Sequence, residues 1–173
     1  MKTIRFIVLF AVALGHAAIA HAEFRAGIAV RVVTPEPLLP VSGGVGPSNP
    51  VTKKHGDLTV RAMVLENDDT RVAFVSTDFL CFPAVLGDRV RRQVKSIPPG
   101  HILIGATHTH SAPDCYGFPN GKGGTDADLD YLDFVCNKAA EAVNEAVAGL
   151  QPASLKIATG KANGKIAYNY YAP

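Results

Sequence analysis

His108 and His110 stand two residues apart in Gly105-Ala106-Thr107-His108-Thr109-His110-Ser111-Ala112-Pro113, directly after the apolar run Ile102-Leu103-Ile104. Imidazole titrates near neutral pH and, in its neutral form, is the commonest metal ligand among side chains. In extended chain, residues two apart project to the same side, which puts both rings on one face. Rings that close disfavour each other's protonation, and the neutral ring is the one that ligates. Thr107, Thr109 and Ser111 set hydroxyls around them. The same pattern suits two ordinary histidines in a polar loop, and the pair alone does not separate these readings.

The elements that must position the pair come next. Ile102 to Ile104 reads as a short strand buried on both faces. The polar residues then emerge at its carboxyl end, where open α/β sheets hold their ligands. Upstream, Gly27 to Val33 is a β-branched strand closed by Thr34-Pro35. Residues Pro35 to Pro50 hold five prolines and three glycines, which excludes regular structure. Gly43-Gly44-Val45-Gly46 lacks the Lys-Ser/Thr that a phosphate loop needs, so no nucleotide site is expected. Thr59 to Glu66 alternates, Asn67-Asp68-Asp69 turns, and Arg71 to Thr77 returns, which predicts a hairpin. His55 and Asp57 precede it and can reach the site to orient a ligand; as a turn residue, Asp57 can instead bond its own backbone. Asp78 ends the second strand and has two readings, orienting a histidine or capping the next helix.

Phe82 to Lys95 carries Val85, Leu86, Val90 and Val94 at helical spacing, with Arg89, Arg91, Arg92 and Lys95 as a solvated basic face. Pro98-Pro99-Gly100 stops this helix. Strand, helix and strand then form a right-handed crossover that lays Ile102–Ile104 parallel to Val72–Val75. After the histidines, residues 113–124 form a glycine-rich loop in which Tyr116 and Phe118 either line a substrate entrance or pin the loop. Thr125, with Asp128 three residues on, reads as the N-cap of a helix running to about Ala148. Its core stripe is Leu132, Cys136, Ala139, Val143 and Val147. Asp126, Asp128 and Asp130 complement that helix's dipole, and the glycine and terminal glutamate of a calcium loop are absent. Leu155–Thr159 and Lys165–Tyr170 read as a last hairpin around Asn163-Gly164.

The amino terminus reads as an export signal: Lys2 and Arg5, an apolar run from Ile7 to Leu14, then Ala20-His21-Ala22. The run is too short to span a membrane as a helix. Cleavage after Ala22 makes 1–22 the signal and 23–173 the mature chain, exported to a periplasm or secreted. Losing Lys2 and Arg5 takes the 17 basic residues to 15, against 15 acidic ones. A formally neutral chain argues against a nucleic-acid partner. The three cysteines, Cys81, Cys115 and Cys136, match no metal motif. One disulfide with a free thiol and three unpaired thiols are both open. Oligomeric state is not legible.

Thr107-His108-Thr109-His110-Ser111-Ala112-Pro113 resembles the zinc-binding segment of the neutral (alkaline, non-lysosomal) ceramidases, whose usual reading is Thr-His-Thr-His-Ser-Gly-Pro. Gly27-Ile28-Ala29-Val30-Arg31-Val32-Val33-Thr34-Pro35 is similar to that family's opening strand. Leu58-Thr59-Val60-Arg61-Ala62 and Val72-Ala73-Phe74-Val75-Ser76-Thr77-Asp78 look like its next two. The resemblance implies an α/β fold, a mixed sheet with flanking helices, forming the incomplete amino-terminal portion of a larger catalytic domain. It implies Zn2+ as cofactor, with the motif furnishing one of the family's metal ligands, placed first on His108 and second on His110. The implied reaction is hydrolysis of the N-acyl bond of ceramide or a related N-acyl lipid, which brings peripheral contact with lipid surfaces. The family's further histidine, glutamate and tyrosine ligands, and its Gly-Asp-Val-Ser-Pro-Asn segment, have no counterpart here. The alternative is a non-catalytic exported module that keeps the fold and weak metal binding.

Overall fold

The computed structural model describes residues 23–44 and 46–161. The export signal and the strand expected at Lys165–Tyr170 lie outside the described residues.

Alternation of large apolar with polar or small side chains builds the sheet. β1 (Arg25–Val32), β2 (Thr59–Asn67) and β3 (Thr70–Thr77) pair antiparallel in sequence order. The β2–β3 hairpin closes tightly around Asp68 and Asp69, with Asn67 opposite Thr70. Asp68 takes the left-handed backbone (φ 51°), which a short polar side chain tolerates better than a bulky one. α1 (Ala84–Gln93) then returns the chain to β4 (Ile102–Ala106), parallel to β3, so that Ala73 faces Ile102 and Thr77 faces Ala106. α2 (Leu129–Ala148) crosses back, and β5 (Gln151–Pro152) adds a short edge beside Arg25 and Ala26. The result is a partial α/β domain with a mixed five-stranded sheet in the order β4-β3-β2-β1-β5.

Both helices lie on one face. Val60, Ala62, Val64, Ala73, Val75 and Ile102 of the strands share a single core with Leu86 and Val90 of α1 and Val135, Ala139 and Val143 of α2. β1 and α2 approach so closely that a Cβ on Gly27 would sit 1.9 Å from the Ala146 carbonyl oxygen, inside its van der Waals shell. Glycine is therefore required there for packing. Tyr131 is buried in the same layer, and its hydroxyl donates to the Val33 carbonyl at 2.8 Å.

Among the described residues nothing packs on the opposite face. Ile28 (76% exposed), Val30, Val32, Met63, Phe74 and Leu103 (63%) point away from the helices. This corrects the expectation that Ile102–Ile104 is buried on both faces. β4 is an edge strand covered on one side, and a short apolar run looks the same in either setting.

Three further expectations change. The basic face of α1 is only partly solvated: Arg89 pairs with Asp133 of α2, and Arg91 donates to the Ile102 carbonyl from Nε and Nη2 at 3.2 Å each. Arg92 and Lys95 remain exposed. The N-cap of α2 is Asp128, whose carboxylate accepts from the Tyr131 amide at 2.9 Å; Thr125 lies outside the helix. Leu155–Thr159 forms no strand: Leu155 and Ile157 are exposed, and the pairing with β1 is made by Gln151 and Pro152 instead.

Candidate functional site

The sheet ends at the site. Beyond β4, the Thr107 amide still donates to the Thr77 carbonyl at 2.9 Å, continuing the ladder by one residue. The chain then breaks direction at His108, whose φ of +63° is the left-handed conformation that a non-glycine residue adopts at a steric cost. His108 and His110 therefore do not alternate along an extended strand. A bend brings them together instead, with ring centroids 5.1 Å apart and planes at 86°.

Each ring is fixed by a backbone carbonyl. His108 Nδ1 lies 2.6 Å from the Leu80 oxygen, and His110 Nδ1 lies 2.7 Å from the Gly43 oxygen. A carbonyl only accepts, so both Nδ1 atoms carry hydrogen, and in the neutral form each ring keeps its lone pair on Nε2. Metal-ligating histidines are commonly held in this way, the second nitrogen tied off so that tautomer and ring direction are set.

The two carbonyls are delivered by separate segments. Val41 bridges both Asn49 and Pro113, and the Ser42 amide donates to Ala112 at 2.8 Å, which lays Gly43 beside His110. On the other side, Asp78 bends the chain after β3. Its carboxylate accepts from the Thr59 amide at 2.9 Å and the Thr59 hydroxyl at 2.7 Å, with Arg61 at 3.6 Å. Asp78 holds neither histidine Nδ1, and the α1 N-cap is Pro83, so both roles read for it from sequence give way to a third. It anchors the turn that presents the Leu80 carbonyl to His108.

Asp114 carries no signal in the sequence. It is 1% exposed, and its carboxylate accepts from the amides of Tyr116, Gly117 and Phe118 and from the Thr125 hydroxyl. Those bonds fold the glycine-rich loop back around Asp114, and Tyr116 stacks on Phe118 with ring centroids 5.2 Å apart. An acidic residue followed by small and aromatic ones gives no pattern to find, because its partners are main-chain groups. Nearby, Cys81 and Cys115 lie with sulfurs 3.4 Å apart as free thiols, while Cys136 is buried separately against α1. Burial pushes the Cys115 thiol up to about 12, helped by its hydrogen bond to Cys81, and the Cys136 thiol up to about 11. The adjoining Cys81 also raises the Tyr116 hydroxyl.

A cleft of about 300 Å³ opens beside the histidine loop at Ser111 and Pro113, walled by Leu38, Leu39, Val41 and Val51. His55 and Lys53 line it. Among the described residues no hydrogen bond joins His55 to either site histidine. Asp57 accepts from Lys54 at 2.6 Å and Thr34 at 3.0 Å, and these two partners hold its carboxyl below the usual range. It thus secures the loop after β1 rather than bonding its own amide. Asp126 accepts from the Ser48 amide at 2.8 Å and Asp128 caps α2, so both are occupied structurally. Among the described residues there is no group of three or more His, Cys, Asp or Glu side chains that could hold a metal ion. No described helix is long and apolar enough to cross a membrane.

No protein-family model matches the chain, and comparison with curated proteins finds no match. The architecture is that of a partial α/β domain with a mixed sheet, and solved structures share it. A neutral ceramidase from Pseudomonas aeruginosa matches with a TM-score of 0.55 and 20% identity over 76% of this chain. A ceramidase complexed with C2 matches with the same values. The chain covers 22% of the length of each. At that identity the likeness establishes a shared fold.

Proposed function

We propose that this chain forms the amino-terminal part of a zinc-dependent amidohydrolase of the neutral ceramidase type, acting on the N-acyl bond of ceramide or a related N-acyl lipid. The observation that carries the reading is the paired imidazoles, each with Nδ1 on a backbone carbonyl and Nε2 left as a lone-pair donor. The likeness to ceramidase structures supports the substrate class.

The donor set fits zinc in part. Two neutral imidazoles are suitable ligands, and a catalytic zinc uses about three protein ligands with one position open. Bound there, the ion would polarise an amide carbonyl and make its water a better nucleophile. This chain's own contribution is to orient. Leu80 and Gly43 carbonyls fix the tautomers, Asp78 fixes the turn before Leu80, and Asp114 fixes the loop that flanks the pair. The apolar cleft at Ser111 and Pro113 suits an acyl chain approaching from the side. With two ligands from the described residues, the isolated chain should bind zinc weakly, as in the second reading of a non-catalytic module. Titration with zinc at neutral pH tests the assignment: His108→Ala should remove most binding and His110→Ala should weaken it. Tight binding unaffected by both changes would place the metal elsewhere.

The amino-terminal segment supports export. The exported product should begin at Glu23 on intact-mass analysis, and retention of Met1 in a cytoplasmic pool would refute it.

A further inference from the structure

We infer that Cys81 and Cys115 form a disulfide that closes a covalent ring around both site histidines. Their sulfurs stand 3.4 Å apart, and the Cys115 thiol donates to the Cys81 carbonyl at 2.9 Å, so the two main-chain segments already face each other. The residues are 34 apart in sequence, and the ring they would close contains α1, β4, His108 and His110. Cys81 directly follows Leu80, whose carbonyl holds His108; Cys115 directly follows Asp114, which folds the flanking loop. Cys136 is buried away from the pair, its thiol directed to the Leu86 carbonyl at 3.7 Å, which leaves it as the thiol without a partner. The odd cysteine count thereby resolves into one bond and one inert core thiol. This inference stands independently of the zinc reading.

The two sulfurs have distinct roles. Cys81 is half-buried and reachable, whereas Cys115 is buried. With a low-molecular-weight disulfide such as oxidised glutathione as the oxidant, the Cys81 thiolate attacks one of its sulfurs and expels one glutathione thiolate. Cys115 then gives up its proton, attacks the Cys81 sulfur of the mixed disulfide, and expels the second. The two thiol protons end on the two glutathione molecules, and the two electrons lost by the protein reduce one glutathione disulfide.

The test incubates the folded chain to equilibrium at mildly alkaline pH in oxidised glutathione, then denatures and alkylates it. Peptide mapping should link the Cys81 and Cys115 peptides and leave Cys136 as the alkylated thiol. The Tm of the oxidised chain should exceed that of the reduced chain by roughly 10 °C, because the bond restricts the unfolded chain. Cys81→Ser, at the half-buried position, should abolish the linkage and leave Tm unresponsive to oxidant. Three alkylatable thiols after oxidation, or a linkage to Cys136, would overturn the inference.

Discussion

His108 carries the conformational cost of the candidate site. Its φ of +63° places Cβ against its own carbonyl environment, a penalty of about 1–2 kcal/mol for any residue with a side chain beyond hydrogen. The bend is what directs its ring toward His110 while Nδ1 reaches Leu80. Strain of this kind persists where surrounding structure enforces it, and here Thr107 is tied to Thr77 on one side and Ser42 to Ala112 on the other. The expected consequence is an inverted order among replacements. At an ordinary position alanine is more stable than glycine; here His108→Gly should be more stable than His108→Ala by about 1 kcal/mol in urea unfolding, since both lose the same imidazole bond. Equal stabilities would mean that the backbone relaxes freely and that the bend is not imposed. The sequence shows two histidines at the end of a strand but not this bend, because a left-handed histidine leaves no mark in composition or spacing. Asp78 was legible as important and not as to role, since a carboxylate at a strand end can face any of several donors.

At the scale of elements, regular patterns were readable and junctions were not. Alternation with an Asp-rich turn identified the β2–β3 hairpin, and the strand–helix–strand order identified the parallel β4. α2 is capped by Asp128 and not by Thr125: both side chains can cap, and only the Tyr131 amide decides between them. β5 is too short to show any periodicity. Ion pairs between strands also escape a linear reading. Glu66 on β2 meets Arg71 on β3 and Arg25 on β1, and Arg25 also donates to the Leu150 carbonyl at 2.8 Å, tying three strands to the end of α2. The hydrogen bond from Arg71 is the largest cause holding the Glu66 carboxyl below its ordinary range, ahead of that from Arg25. A carboxylate lowered on folding stabilises the protein above its unfolded pKa of about 4.3, and that contribution disappears as pH falls through the lower folded value. Glu66→Gln should therefore destabilise the chain near pH 7 by thermal unfolding. The gap from wild type should narrow as pH drops below about 4.3. A gap that stays constant across that window would show that the glutamate acts by packing alone.

At the scale of the molecule, one sheet face is packed and, among the described residues, the other is apolar and uncovered, with the candidate site at the sheet end. Ile28, Val30, Met63, Phe74 and Leu103 together form a contiguous exposed surface of the kind that in soluble proteins marks contact with another body. The ligands available are similarly one-sided: two imidazoles from one loop, with no third acidic, histidine or cysteine group joining them among the described residues. A zinc held by two side chains keeps most of its coordination as solvent. Water on an ion held that way would be far less acidic than in an enclosed three-ligand site. Stabilising the oxyanion of a tetrahedral intermediate needs fixed donors aimed at it, and losing one such donor costs about 10²–10³ in rate. Binding and turnover should therefore separate in this chain. With zinc added, fatty acid release from a short-chain labelled ceramide should be indistinguishable from that of His108→Ala, although the two differ in zinc affinity. Fast release that the substitution abolishes would show that these residues already make a complete catalytic site, and would require a third ligand that the geometry among the described residues does not supply.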